Sequence, residues 1–227
     1  MFKASEIDRN TVSAINQVTK YVRTVSSDND GLRILFVGNS ITLHSPNESI
    51  GWYGDWGMAA SCEANDYVHR VVSEIEKTGV KVGFAIASTA FWELGYDDPA
   101  NLSEDIFGCA RDFGADIVIV RLAENIKDKK MSKVELRPYF EDMVRFFISD
   151  KTKQVIVTDS FWRRDIVDIM IKDICDKEGY TFCKLSDLYD DKKTMALGQF
   201  AHEGVSLHPS DYGMEKIAER ILEVIKL

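Results

Sequence analysis

The chain has 227 residues, 45% hydrophobic and 29% charged, which is enough for one large domain with a substantial core and too apolar for a disordered chain. Its formal net charge of -9 argues against nucleic acid or an anionic membrane surface as a partner, because phosphates would be repelled.

No repeat, low-complexity tract or Pro/Gly/Ser-rich linker divides the sequence, so a single domain over 1–227 is expected. The start, Met1-Phe2-Lys3-Ala4-Ser5, lacks the basic and apolar pattern of a secretory signal, and no apolar stretch approaches the ~20 residues that span a bilayer. A cytoplasmic location without a membrane partner is expected. Val12, Ile15, Val18, Val22 and Val25 recur at helical spacing, which predicts a helix over 8–25 and a helical extension, residues 1–30, packed on the domain. Leu32-Arg33-Ile34-Leu35-Phe36-Val37 is then a short, mostly apolar run, suited to a strand buried on both faces of a parallel sheet. Similar runs follow at 80–87, 116–122, 154–158 and 181–185. Helical-period segments lie between them, at 66–77, 132–149 and 165–177, and a last amphipathic helix covers 211–225. Strand alternating with helix predicts a three-layer α/β/α sandwich around a flavodoxin-like, doubly wound parallel sheet of about five strands. Such folds bind ligands beyond the carboxyl ends of the strands, so the chemistry is expected just after each apolar run.

After the first run comes Gly38-Asn39-Ser40-Ile41-Thr42, where a glycine permits a sharp turn and a serine is held toward the cleft. A helix-capping serine is the plain alternative. Thr42 stands where the second glycine of a Gly-x-Ser-x-Gly elbow would be, so that motif is absent. Ala87-Ser88-Thr89-Ala90 follows the second run, and Leu122-Ala123-Glu124-Asn125 the third, where an asparagine capping the next helix is again the plain alternative. Before the last helix stands Ser206-Leu207-His208-Pro209-Ser210; Pro209 biases His208 toward an extended conformation, and Ser210 is placed to cap.

In this order the residues resemble the conserved blocks of the SGNH (GDSL-like) hydrolases: Gly-Asp-Ser-Leu, then Gly-x-Asn, then His-Pro before the last helix. Asn39, Ile41 and Ala123 depart from that pattern. The resemblance implies a cofactor-free esterase or acylhydrolase with Ser40 as nucleophile and His208 as general base. It implies an oxyanion hole formed by the Ser40 N–H, the Asn125 side-chain amide and an N–H from the turn after the second strand, for which Ser88 is the candidate. The family's acid, three residues before the histidine, is replaced by Val205. Two alternatives remain: Glu203, the nearest carboxylate, or a backbone carbonyl serving a Ser-His dyad.

All four tryptophans, Trp52, Trp56, Trp92 and Trp162, fall in segments after strands. Gathered beside Ser40 and His208, their flat faces would suit a sugar ring or an acyl chain; as an equal alternative they plug loops into the core. Gly51-Trp52-Tyr53-Gly54-Asp55-Trp56-Gly57 reads as a pocket-rim loop. The resemblance makes a small acyl ester the expected substrate, with O-acetyl groups on a carbohydrate first among them. No metal is expected: a zincin would need a second histidine at the position of Ser206, four after His202, and no other cluster has ligand spacing. Of the cysteines, Cys109, Cys175 and Cys183 sit in apolar or helical surroundings suited to buried thiols, and Cys62 completes the set without a CxxC pair. Two other classes stay open. One is a flavodoxin-like protein cradling a phosphate or nucleotide on Ser40 and Thr42. The other is a hydrolase relative that has lost activity, which the missing acid suggests.

Overall fold

Residues 18–25 and 31–227 are described by a computed structural model. The apolar runs become strands because each can bury both faces. In β2 (Leu32–Gly38), Ile34 and Phe36 point to one side of the sheet and Leu35 and Val37 to the other, and all four are fully buried. Each such side chain stabilises the fold by about 1.5–3 kcal/mol relative to leaving it in water. β3 (Val82–Ser88), β4 (Ile117–Arg121), β5 (Gln154–Thr158) and β6 (Thr181–Cys183) join β2 in parallel. With β1 (Val22–Val25) the order across the sheet is β1-β3-β2-β4-β5-β6.

Helices cover both faces. α1 (Tyr67–Glu76) and the last helix, α8 (Asp211–Val224), lie over Ile34, Phe36 and Ile119. α3 (Glu104–Asp112), α5 (Arg137–Phe146) and α6 (Asp165–Glu178) lie over Leu35, Val37 and Val118. Short helices occupy the loops after strands: α2 (Ala90–Leu94), α4 (Asp128–Met131) and α7 (Glu203–Ser206). The architecture is the expected three-layer sandwich, and its parallel strands follow the flavodoxin-type doubly wound order.

Three expectations are corrected. Residues 22–25 do not continue a helix: they form an antiparallel edge strand on β3, pairing Val22 with Ala87 and Val25 with Phe84. A stretch rich in β-branched residues beside an open sheet edge gains a row of hydrogen bonds there. Residues 18–21 are not helical either, and the remainder of the predicted N-terminal helix, 8–17, lies outside the described residues. The helix expected over 132–149 begins only at Arg137, since Pro138 is tolerated in a first turn and not further in. Cys109 is exposed while Cys175 and Cys183 are buried, because the α3 period turns Phe107 and Ala110 inward and residue 109 outward. Among the described residues no helix is long and apolar enough to cross a membrane.

At the end of β2 the backbone passes close to its neighbours. A Cβ on Gly38 would overlap Thr42 Oγ1 and lie 2.8 Å from the Arg121 carbonyl oxygen. Thr42 cannot easily swing away, since it is buried with its hydroxyl 2.9 Å from Tyr67 Oη. Gly38→Ala is therefore expected to cost about 1–3 kcal/mol through overpacking, read as a lower urea midpoint. An unchanged midpoint would show that this turn has room to relax.

Candidate active site

Parallel strands direct the loops after β2, β3, β4 and β5 to one edge of the sheet, and the order reverses between β2 and β4. Ser40 follows β2 at this switch point. It caps no helix: it sits in a tight turn closed by the Thr42 and Leu43 N–H groups, which donate to the Asn39 carbonyl at 2.8 and 3.0 Å. The Ser40 carbonyl accepts from Met58 N–H at 2.9 Å, which ties the long loop after β2 to the serine.

His208 meets this turn from 168 residues away. Its Nε2 lies 2.8 Å from Ser40 Oγ, and its Nδ1 lies 2.7 Å from the Gly204 carbonyl oxygen. A carbonyl can only accept, so Nδ1 carries the proton; in the neutral ring Nε2 then presents a lone pair to the serine hydroxyl. The geometry follows from how α7 ends. The His208 N–H bonds to the Val205 carbonyl, one residue short of the helical pattern, and this leaves the Gly204 carbonyl for the ring. Trp162, after β5, stands edge-on to the imidazole at 5.0 Å and donates its indole N–H to the Leu207 carbonyl at 3.0 Å. The Ala196 N–H holds the His208 carbonyl at 2.9 Å. Ser210 caps α8, its hydroxyl accepting from the Gly213 N–H.

Beneath Ser40 lies a buried polar network unread in the sequence. Arg121, at the end of β4, pairs with Glu124 at 2.6 Å, and both side chains are fully buried. Glu124 also accepts from the Phe161 N–H at 2.9 Å and from Asn39 Nδ2 at 2.6 Å. Arg121 donates in turn to Asn39 Oδ1. A second buried carboxylate, Glu93 on α2, accepts from the Ala123 N–H (2.7 Å), the Asn125 N–H (3.2 Å), Asn125 Nδ2 (2.7 Å) and Asn39 Nδ2 (3.2 Å). Burial, then the charge of Glu124, pushes Glu93 up to about 7. Burial also acts on Glu124, but the Arg121 charge and the surrounding donors outweigh it and hold this carboxyl below its ordinary range. The sequence signal available was an acidic residue beyond each of two apolar runs, where neither could reach bulk water.

The remaining sequence candidates divide. Asn125 does not cap α4, whose N-cap is Lys127; its amide points one N–H at Glu93 and has a second to give. Ser88 is not an oxyanion donor through its backbone, because its N–H is committed to the Tyr21 carbonyl at 2.7 Å; the next N–H, of Thr89, is committed to Gly38. Of the two candidates for orienting His208, Glu203 is exposed at the start of α7, and Nδ1 is bonded to a backbone carbonyl, that of Gly204. Val205 is buried among Ile50, Trp52, Met58 and Ala196, so an apolar plug stands in the usual place of the acid. The tryptophans do not form an open stacking platform. Trp92 packs on Tyr96 and Phe140 in the core, and Trp52 and Trp162 are equally buried. Trp56 keeps part of its surface open, edge-on to Trp52. Thr42 is fully buried with its hydroxyl against Tyr67, so it is not presented to a phosphate. Among the described residues no group of three His, Cys, Asp or Glu is placed to hold a metal ion.

Two alanines, Ala59 (φ 73°) and Ala123 (φ 120°), are the non-glycine residues with positive φ among the described residues. Ala59 lies on the same loop as Ser40, next to Met58, whose N–H holds the Ser40 carbonyl, and Ala123 lies on the loop after β4. Such conformations cost about 1–3 kcal/mol each and persist only where the surroundings hold them. The glycine that the SGNH pattern carries at position 123 would relieve this strain; here the Glu93 carboxylate holds the alanine N–H instead.

No protein-family model matches the chain, and no curated protein matches it. Solved structures do. An alpha/beta hydrolase enzyme from the metagenome of Lake Arreo, Spain, is 14% identical, aligns over 85% of this chain and 94% of its own, and superposes with a TM-score of 0.52. A protein assigned to the G-D-S-L family from Desulfitobacterium hafniense DCB-2 is 12% identical over 85% of this chain and 99% of its own, with a TM-score of 0.46. The first likeness is one of fold alone, and the second is too loose to carry an argument.

The loop that follows Ser40 also contains a buried histidine. His44 has Nδ1 2.6 Å from the Ser45 carbonyl, and burial pushes its pKa down to about 4, against the smaller opposing effects of that bond and of Asp55. Above pH 6.5 the ring is neutral in folded and unfolded chains alike. Between pH 6.5 and 4 the unfolded chain binds a proton that the folded one refuses, so stability falls as pH falls, by about 3 kcal/mol in total. His44→Asn, whose amide can replace the Nδ1 bond, is expected to remove that part of the acid loss in urea titrations at pH 7, 5.5 and 4. Parallel curves for the two proteins would assign the loss to other groups.

Proposed function

We propose that the chain is a serine hydrolase of the SGNH type that cleaves a small acyl ester through a Ser40–His208 dyad. The observation that carries this reading is the 2.8 Å approach of Ser40 Oγ to His208 Nε2, with Nδ1 already bonded to a carbonyl. His208 takes the hydroxyl proton as Ser40 attacks the ester carbonyl, then returns it to the departing alkoxide; water repeats the sequence on the acyl-enzyme. The Gly204 carbonyl keeps the productive tautomer throughout and aligns its dipole with the imidazolium. It performs the orienting part of a catalytic acid, so Val205 does not make the dyad incomplete.

The tetrahedral oxyanion is met by the Ser40 N–H, which donates to no other group among the described residues, and by the second N–H of the Asn125 amide. Ser40 and His208 are only 8% and 4% exposed, which favours a small acyl group, with an acetyl ester of a carbohydrate the first substrate class to test. The phosphate-binding alternative is disfavoured by charge. Glu93 and Glu124 lie buried one side chain behind Ser40, and a phosphate seated there would face both.

Wild type is expected to hydrolyse short-chain aryl esters or acetylated sugars and Ser40→Ala to lose that activity; equal rates in the two would end the assignment. Asn125→Ala is expected to lower kcat by roughly 10²–10³-fold with little change in KM. Labelling of Ser40 by a fluorophosphonate, blocked in His208→Ala, would separate an active hydrolase from one that has lost its chemistry.

A further inference from the structure

Glu93 is a fully buried carboxylate whose bonded partners are all donors: Ala123 N–H, Asn125 N–H, Asn125 Nδ2 and Asn39 Nδ2. No cation bonds to it among the described residues; the guanidinium of Arg121 is bonded to Glu124. A buried charge with no ion pair persists only if its donors are fixed, and here three of the four belong to the loop 123–125. The fourth belongs to Asn39, the residue before Ser40. That loop contains Ala123 at φ 120°, a conformation that local sequence does not favour.

We propose that Glu93 is the positioning residue of the oxyanion loop: as a carboxylate it holds 123–125 in the strained conformation and aims the Asn125 amide at the oxyanion, while its bond to Asn39 keeps that loop in register with the nucleophile turn. An ionised carboxylate only accepts, which matches four donors; burial and the charge of Glu124 push Glu93 up to about 7, so this form prevails above neutral pH. A glutamine of the same shape would turn an NH₂ toward one pair of N–H groups and release them. The catalytic part of the inference rests on the esterase reading above; the structural part does not.

The test is a double-mutant cycle of Glu93→Gln and Asn125→Ala on an aryl acetate at about pH 8.5, where Glu93 is ionised, together with amide NMR spectra of wild type and Glu93→Gln. Glu93→Gln is expected to lower kcat by about 10²-fold, as losing one oxyanion donor does, with KM changed less than about threefold. In the Asn125→Ala background the same substitution should lower kcat by no more than about threefold. Losses that multiply, or a change confined to KM, would overturn the role. In the spectra the Ala123 N–H and the Asn125 side-chain amide should move or broaden while those of α8 stay in place. Unchanged loop signals would overturn it as well. If wild type hydrolyses none of the esters, the esterase reading fails and the NMR comparison still decides whether Glu93 holds the loop. If Glu93→Gln does not fold, Glu93→Asp, which keeps the charge but is one methylene short, is judged by the same criteria.

Discussion

Burying two carboxylates and one guanidinium behind the Ser40 turn constrains everything around them. Taking each ion out of water costs several kcal/mol, and removing one member of such a pair typically costs about 3–5 kcal/mol, because the survivor is left uncompensated. Each charge is therefore surrounded. Arg121 pairs with Glu124 through its terminal nitrogens while its buried Nε has no hydrogen-bond partner among the described residues, Asn39 bridges Glu124 to Glu93, and Glu93 gathers the N–H groups of the loop after β4. The end of β2, the start of α2 and the end of β4 are thereby locked to one another around Ser40. A network of this kind is poorly tolerant of half-measures, since one missing donor leaves a buried charge exposed to the low dielectric.

The topology explains why this lock falls beside the proposed catalytic residues. Chain order reverses between β2 and β4, so the loops that leave these strands diverge and open a crevice. Ser40 comes from one side of it and Asn125 from the other. His208 arrives from a third direction, on the segment between α7 and α8, clamped by Ala196, Trp162 and its own helix turn. The strain at Ala59 and Ala123 sits on the loop that carries Ser40 and on the loop after β4, as expected where backbone must be bent to place the proposed functional groups.

Using a carbonyl in place of a carboxylate behind the histidine changes the electrostatics in a definite direction. The Gly204 dipole selects the tautomer as well as a carboxylate would, because both accept a hydrogen bond from Nδ1. It opposes the growing charge of the imidazolium with a dipole rather than a full negative charge. In the proposed esterase such a dyad would depend more heavily on its oxyanion donors, the role proposed for the loop 123–125 that the buried framework holds.

The sequence alone determined what depends on near neighbours. Runs of apolar residues buried on both faces read as strands, helical spacing read as helices, and Gly38-Asn39-Ser40 and His208-Pro209 each carried a local backbone signature. The alternating order of elements then determined the three layers. Tertiary structure decided whatever depended on distant partners. Val22 and Val25 read as helix until the free edge of β3, some sixty residues on, offered them a ladder. The tryptophans were all correctly placed after strands, but which way each ring turned was set by packing against residues such as Phe140, Phe200 and His208. Glu93 was invisible for the same reason. A carboxylate is informative only through the groups that surround it, and those of Glu93 come from residues 30 to 54 positions away, brought together by the crossing of β3 over β2 to β4.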